Sequence, residues 1–203
     1  MKLNLRAKLM GGFALVIVFL IAVAAVGLMR LNDAVSRTDT MYEENVLGVQ
    51  DVLLANRYFI AFGRELRSAV IAQDDAARRK AADLAKTDLE EGSKAFAAYG
   101  EVVESRNAEE QKQFAALKER VEQTTATRAK AAELVAAGKV QEGWALEQGH
   151  MELVLEQNTM LDEAAEHEAN LAKTDRDTSD SAGSSARTLV LSLTIAAALL
   201  GLG

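Results

Sequence analysis

Neither cysteine nor proline occurs anywhere in the 203 residues of this chain. Without cysteine there is no disulfide, no thiolate nucleophile and no cysteine-ligated zinc. That suits an oxidising compartment without requiring one. Without proline no helix interior loses a backbone donor or kinks at a pyrrolidine ring, so long uninterrupted helices are permitted. Aromatic residues make up only 5%, and no sustained period-2 run of β-branched and aromatic residues marks a strand. Basic charge is also short, with 23 Lys and Arg against 30 Asp and Glu for a formal −7. Lys2, Arg6 and Lys8 precede the first apolar stretch; setting them aside leaves 20 basic and 30 acidic residues, a net −10. Such a surface repels nucleic acid, and no basic face or stacking aromatics argue for that partner.

What is present is helix former. Ala, Leu, Glu, Lys, Gln and Arg dominate from residue 30 onward, residues that lose little side-chain freedom in a helix. The expected fold class is all-α. Leu9 to Met29 runs 21 residues without a charge, and at 1.5 Å per residue that is roughly 31 Å, enough to cross a hydrocarbon core. A cleaved signal peptide is the competing reading, with Ala22-Val23-Ala24 as a small-residue cleavage site, but its apolar core usually spans only ~7–15 residues. Thr188 to Gly203 is a second apolar run of 16 residues, read as the start of a second span in preference to a lipid-anchor processing signal. The early positive charges place the N-terminus in the cytoplasm and residues 30–187 outside. The expected organisation is therefore a cytoplasmic N-terminus over 1–8, a first transmembrane helix over 9–29, a periplasmic domain over 30–187, and a truncated second span over 188–203. On that reading the chain is an N-terminal fragment of a multi-pass protein of a bacterial inner membrane.

Three breaks divide the periplasmic region. Asp74 and Asp75 offer an N-cap and acids for a helix start. Asn107 can cap the next helix, with Glu110 three residues on as the capping-box partner. Gly138 after Ala136-Ala137 supplies a left-handed terminator. The predicted helices cover about 30–73, 75–103, 108–137 and 140–187, an antiparallel up-down four-helix bundle whose short connections make sequential helices neighbours. Spacings of three and four support it. The first helix gives Leu31, Ala34, Thr38, Met41, Asn45, Gly48, Val52, Ala55, Phe59, Phe62, Leu66 and Ala69. The second gives Ala82, Ala85, Leu89, Gly92, Phe96, Tyr99 and Val103; the third gives Phe114, Leu117, Val121, Thr124, Arg128, Ala131 and Val135. A noisier fourth gives Met151, Val154, Asn158, Leu161, Ala165, Glu168 and Ala172. The many small and polar seam residues bury modest apolar area, so a homodimer is expected. The outer helices overhang the inner pair by about 14 residues, or ~20 Å, as a stalk, and the polar run Lys173 to Arg187 reads as its solvated helical part.

The chain resembles methyl-accepting chemotaxis proteins with a four-helix-bundle sensor domain. The resembling residues are Lys8-Leu9 with Gly11-Gly12-Phe13, Gly27-Leu28 through Arg30-Leu31-Asn32, and Ala136-Ala137-Gly138-Lys139 with Glu142, Trp144 and Ala145. The resemblance implies a homodimer followed by a HAMP linker and a methylated cytoplasmic coiled coil. It also implies a small axial shift of the fourth helix and second span that tunes an associated cytoplasmic histidine kinase through its adaptor. Sensor bundles of this kind also occur on histidine kinases and diguanylate cyclases.

The candidate ligand site begins with Arg57, Tyr58, Arg64 and Arg67. Arg57 and Arg64 stand seven apart on one helix face, and guanidinium forks match carboxylates and phosphates. Counting from the bundle tip puts Arg64, Arg128 and His150 at one level, ~13–15 Å down, and Arg57 level with Gln157 and Asn158. Arg128 occupies a seam position, where a cation is costly unless paired or bound. The expected ligand is a small organic anion such as a carboxylate, held between first and fourth helices at the dimer interface. The bland alternative is a set of solvated arginines with partners such as Glu65. Glu147-Gln148-Gly149-His150 is a Glu-x-x-His motif, but a di-iron bundle needs it on two helices, and the second and third carry no histidine. No metal, cofactor or enzymatic activity is expected. Trp144 reads as a tip-packing anchor. A ligand-free helical spacer is the different-class alternative to a sensor.

Overall fold

The three-four spacing translates into helix wherever the backbone is described. The computed structural model describes residues 5–40 and 46–201, and every regular element among them is helical. They are α1 (Leu5–Thr40), α2 (Leu47–Ile71), α3 (Asp75–Glu104), α4 (Ala108–Ala136), α5 (Val140–Gly149) and α6 (Met151–Gly201). The chain forms two compact units. One takes in α1 and the part of α6 from Ala172 onward; the other runs from α2 to Leu171.

The second unit is the four-helix bundle, with α5 and the first part of α6 sharing the fourth position. Its turns follow their local chemistry. The Asp74 carboxylate accepts from the Ala77 N–H at 2.7 Å and starts α3. Asn107 Oδ1 accepts from the N–H groups of Glu109 and Glu110 at 3.0 and 3.1 Å and starts α4. Glu110 closes this cap through the Asn107 amide, Nδ2 to Oε1 at 2.7 Å. Gly138, at φ +83°, ends α4. There Lys139 N–H reaches Leu134 O at 2.9 Å and Gly138 N–H reaches Val135 O at 3.1 Å, the two bonds of a Schellman termination.

Within α2, α3 and α4 the expected seam is the buried face. By contrast, Leu31 and Ala34, expected in the first helix's seam, are exposed, and in α6 Gln157 is buried where the expected seam residue Asn158 is half-buried. Gly48, Val52, Ala55, Phe59, Phe62, Leu66 and Ala69 of α2 are buried, as are all seven expected positions of α3. In α4 the seam is buried from Leu117 to Val135, with Phe114 half-buried. Met41 and Asn45 lie outside the described residues. Phe96 stacks on Phe114 with ring centroids 5.2 Å apart, and Tyr99 meets Phe114 edge-on at 5.6 Å. These aromatics join Phe59, Phe62 and Leu66 in a core completed by leucine and valine, such as Leu89, Leu117, Val135 and Leu161, and by many alanines.

The fourth helix departs from the single span expected over 140–187. It breaks at His150, whose N–H bonds to Glu147 O, three residues back, at 3.1 Å. Gly149 brings low helix propensity to this point, and His150 Nδ1 sits 3.0 Å from the carbonyl oxygen of Leu146. The short α5 packs closely on α4 because residue 143 is glycine: a Cβ there would lie 2.7 Å from the Ala131 carbonyl oxygen.

In the first unit, Met10–Ser36 is the one stretch among the described residues long and apolar enough to cross a membrane. Met10, Phe13, Leu20, Leu28 and Leu31 are all exposed. The apolar residues from Thr188 to Gly201 are helical as part of α6. So is the polar run from Lys173 to Arg187.

Candidate functional site

With Phe59, Phe62 and Leu66 turned into the core, the 3.6-residue period sends Arg57, Ile60, Arg64 and Arg67 outward on α2. Two adjacent clefts form along this face. The larger, about 440 Å³, is lined by Leu53, Asn56, Arg57, Tyr58, Arg64 and Asp88. Burial pushes the Asp88 carboxyl above its usual range; Glu65 adds to the rise and Arg64 opposes it. The smaller, about 220 Å³, brings Arg64 and Arg67 together with Arg128, Trp144, Glu147 and Asn158 from α4, α5 and α6.

Arg128 defines the floor of the smaller cleft. It is 3% exposed. Its Nε donates to Glu147 Oε1 at 3.3 Å, its Nη1 donates to the Phe59 carbonyl at 3.1 Å, and its guanidinium lies 5.0 Å over the Phe62 ring. The seam cation is therefore paired inside the protein. Burial depresses its pKa, and the Glu147 carboxylate offsets part of that effect. Glu147, 2% exposed, has no partner on its second oxygen, Oε2, and Asn158 Oδ1 is likewise buried and unpartnered.

The other expected site residues fall in different places. Arg64 Nε bonds the Glu65 carboxylate at 3.0 Å, with its side chain 71% exposed. Arg57 and Tyr58 line the larger cleft and Asn158 the smaller, so the expected level shared by Arg57, Gln157 and Asn158 is not a single pocket. Gln157 is fully buried, its carboxamide oxygen accepting from the Thr124 hydroxyl in the core. His150 is half-buried at the break in the fourth helix and is absent from the lining of both clefts. Trp144, read from the sequence as a tip-packing anchor, lines the smaller cleft. Glu147 of the Glu-x-x-His motif serves Arg128.

A second polar cluster, at the opposite end of the bundle, was not read from the sequence. Glu168, 1% exposed, accepts from Arg106 Nη2 at 2.9 Å and from the Tyr99 hydroxyl at 3.3 Å. Glu110 and His167 stand beside it, 3.9 Å apart. Burial raises the Glu168 pKa against the opposing pull of Arg106, His167 and the Tyr99 hydrogen bond. Burial also raises Tyr99, and the Glu168 charge adds to it. The available signal was a carboxylate at a seam position, the same sign that singled out Arg128. Gly48 makes room for it: a Cβ there would sit 3.1 Å from Glu168 Oε2.

The family described as a four helix bundle sensory module for signal transduction matches residues 2–182. No curated protein and no solved structure matches the chain.

Proposed function

Because the chain belongs to the family of four-helix-bundle sensory modules for signal transduction, we propose that it is the ligand-binding half of a bacterial transmembrane chemoreceptor. In this reading the bundle stands in the periplasm and binds a small organic anion. It works as a homodimer anchored in the inner membrane, and passes the signal along α6 to a cytoplasmic histidine kinase and its adaptor. The observation that carries the binding reading is the gathering of Arg64, Arg67 and Arg128 on one cleft. Arg128 and Arg64 have carboxylate partners in Glu147 and Glu65, and Arg67 stands beside them. What supports an anion is therefore the exposed Arg64–Arg67 pair, whose guanidinium donors suit a carboxylate. The family is a sensory one and not a catalytic one. Sensor modules of histidine kinases or diguanylate cyclases are the second reading, since the same bundle serves any output placed after the second span.

Two experiments test it. The chain contains no cysteine, so Gln73→Cys gives a single labelling site at the α2–α3 turn. A membrane-impermeant maleimide should label it in intact spheroplasts; labelling only after lysis would place the bundle in the cytosol and end the chemoreceptor reading. For binding, the full chain in lipid nanodiscs is titrated calorimetrically against a library of small carboxylates. Arg64→Ala and Arg67→Ala should each weaken the best binder by tenfold or more, and unchanged affinity in both would remove the arginine cleft from the site.

A further inference from the structure

We propose that a third cleft, where α3, α4 and α6 meet beside the Arg106–Glu168 pair, binds a small primary ammonium ion with a short apolar chain and no acid group. This goes beyond the anion-binding reading above and does not depend on it.

The cleft measures about 290 Å³, close to the lower end of the ~300–1,000 Å³ found for small-molecule sites. It shares no lining residue with either arginine cleft. Its walls are largely apolar: Val103, Phe114, Leu117 and Met160 line it, with Tyr99 edge-on to Phe114. Such walls accept a short alkyl chain, the thioether adapting to its shape, and aromatic faces also attract a cation.

The charge on the lining has one sign. Glu110, Glu163 and Glu168 contribute carboxylates, and among the described residues no lysine or arginine lines the cleft. The existing bonds leave one buried acceptor over. Glu168 is taken on both oxygens, by Arg106 Nη2 at 2.9 Å and by the Tyr99 hydroxyl at 3.3 Å. Glu110 Oε1 accepts from the Asn107 amide at 2.7 Å. His167 Nε2 lies 3.9 Å from that oxygen and adds charge only when protonated. Glu110 Oε2 is buried with no hydrogen-bond partner, the nearest cation, Arg106 Nε, standing 3.9 Å away and beyond bonding length. Glu110 also belongs to the first turn of α4, where the helix dipole favours the ionised carboxyl. Native proteins rarely leave a buried charged acceptor without a donor. One guanidinium set against three carboxylates leaves negative charge in excess.

The kind of cation follows by elimination. Among the described residues no three His, Asp or Glu side chains are placed to hold a metal ion, so the cation is organic. A quaternary ammonium carries the charge but brings no N–H to Glu110 Oε2. An amino acid brings the N–H together with a carboxylate that the three glutamates repel. A primary ammonium on a short alkyl chain meets the acceptor, the charge and the walls together.

The test sets charge, donor and acid group against one another. The full chain in nanodiscs of zwitterionic lipid is titrated calorimetrically near neutral pH with n-butylammonium, 1-butanol, tetramethylammonium and 4-aminobutyrate. Butylammonium should bind as one ion per chain, about tenfold or more tighter than butanol. It should also bind severalfold tighter than tetramethylammonium or 4-aminobutyrate. Glu110→Gln removes the charge but keeps an oxygen to accept from Asn107, and Glu163→Gln changes an exposed side chain. Each should weaken butylammonium severalfold at an unchanged thermal midpoint, and if the first variant melts early the second decides. Arg64→Ala should leave butylammonium binding as it was. Failure of butylammonium to bind overturns the site. Butanol, tetramethylammonium or 4-aminobutyrate binding as well as butylammonium overturns the assigned ligand class. Affinity that both glutamine variants leave intact, or that Arg64→Ala abolishes, places the amine elsewhere and overturns the site as well. The carboxylate titrations of the arginine cleft are read separately and stand or fall on their own.

Discussion

Arg128 and Glu168 are the two residues whose placement is most expensive, and each has one well-defined ionic partner. Removing one member of a buried pair leaves an uncompensated charge, a loss of about 3–5 kcal/mol. Arg128→Ala should therefore lower the unfolding free energy by about that amount in urea titrations followed by circular dichroism. Replacing Arg128 and Glu147 together with methionine and leucine should recover most of it, because well-packed apolar residues dispense with the desolvation of two charges. A double variant no better than the single would show that the pair is not the cause.

Glu168 predicts a pH dependence of definite sign. Its folded pKa lies above the ordinary 4.5 because burial disfavours the carboxylate. Between those two values the folded protein holds a proton that the unfolded chain has lost, so this group makes stability rise as pH falls through that window. Glu168→Gln should remove that component of the slope, and an unchanged profile would assign it elsewhere. Tyr99 behaves similarly at the alkaline end. Its folded pKa is raised above 10.0, so above that pH the unfolded tyrosine ionises first and stability falls as pH rises. Tyr99→Phe should blunt the alkaline loss.

At the scale of elements, the turns and the break in the fourth helix carry the specificity. Asn107 supplies an oxygen to two backbone donors of the first turn of α4. Asn107→Ala should cost about 1 kcal/mol, the usual effect of losing an N-cap. Gly143 is the stricter position. A methyl group there would sit 2.7 Å from both the Ala131 carbonyl oxygen and a Val135 methyl, so α5 must move off α4. Because α5 carries Trp144 and Glu147, Gly143→Ala should weaken ligand binding as well as thermal stability, measured by calorimetry and a melting curve on the same sample. Stability lost with affinity intact would separate α5 placement from the site. Much of this was legible beforehand. Asn107, Gly138 and the heptad seam act through neighbours one to seven residues away, and interactions of that range leave a pattern in a linear sequence. The break at His150 did not, because Gly149 is compatible with either a helix interior or a terminus and the close packing at Gly143 tips the balance.

For the whole molecule, the division into two units carries its own prediction. Residues 43–171 contain the buried aromatics, the capped turns and both buried ion pairs. Expressed alone they should remain strongly helical by circular dichroism and unfold cooperatively. A non-cooperative melt would show that the bundle depends on α1 and the remainder of α6.

The sequence by itself determined the all-helical class, the turns that separate the bundle helices, the face that α2, α3 and α4 bury, and a first apolar stretch long enough to span a membrane. All are consequences of periodicity and local chemistry, which act over one or two turns. Tertiary structure alone decided what the charged residues do. Arg128 meets Glu147 across 19 positions and Arg106 meets Glu168 across 62, and no periodic signal records which cation will face which carboxylate. Arg57 and Arg64 look alike on the helical face, yet Arg57 lines the larger cleft only while Arg64 borders both. The acceptors left unpaired on the floor of the smaller cleft follow from the packing of α4, α5 and α6 against α2, a relation between distant segments that spacing along the chain does not encode.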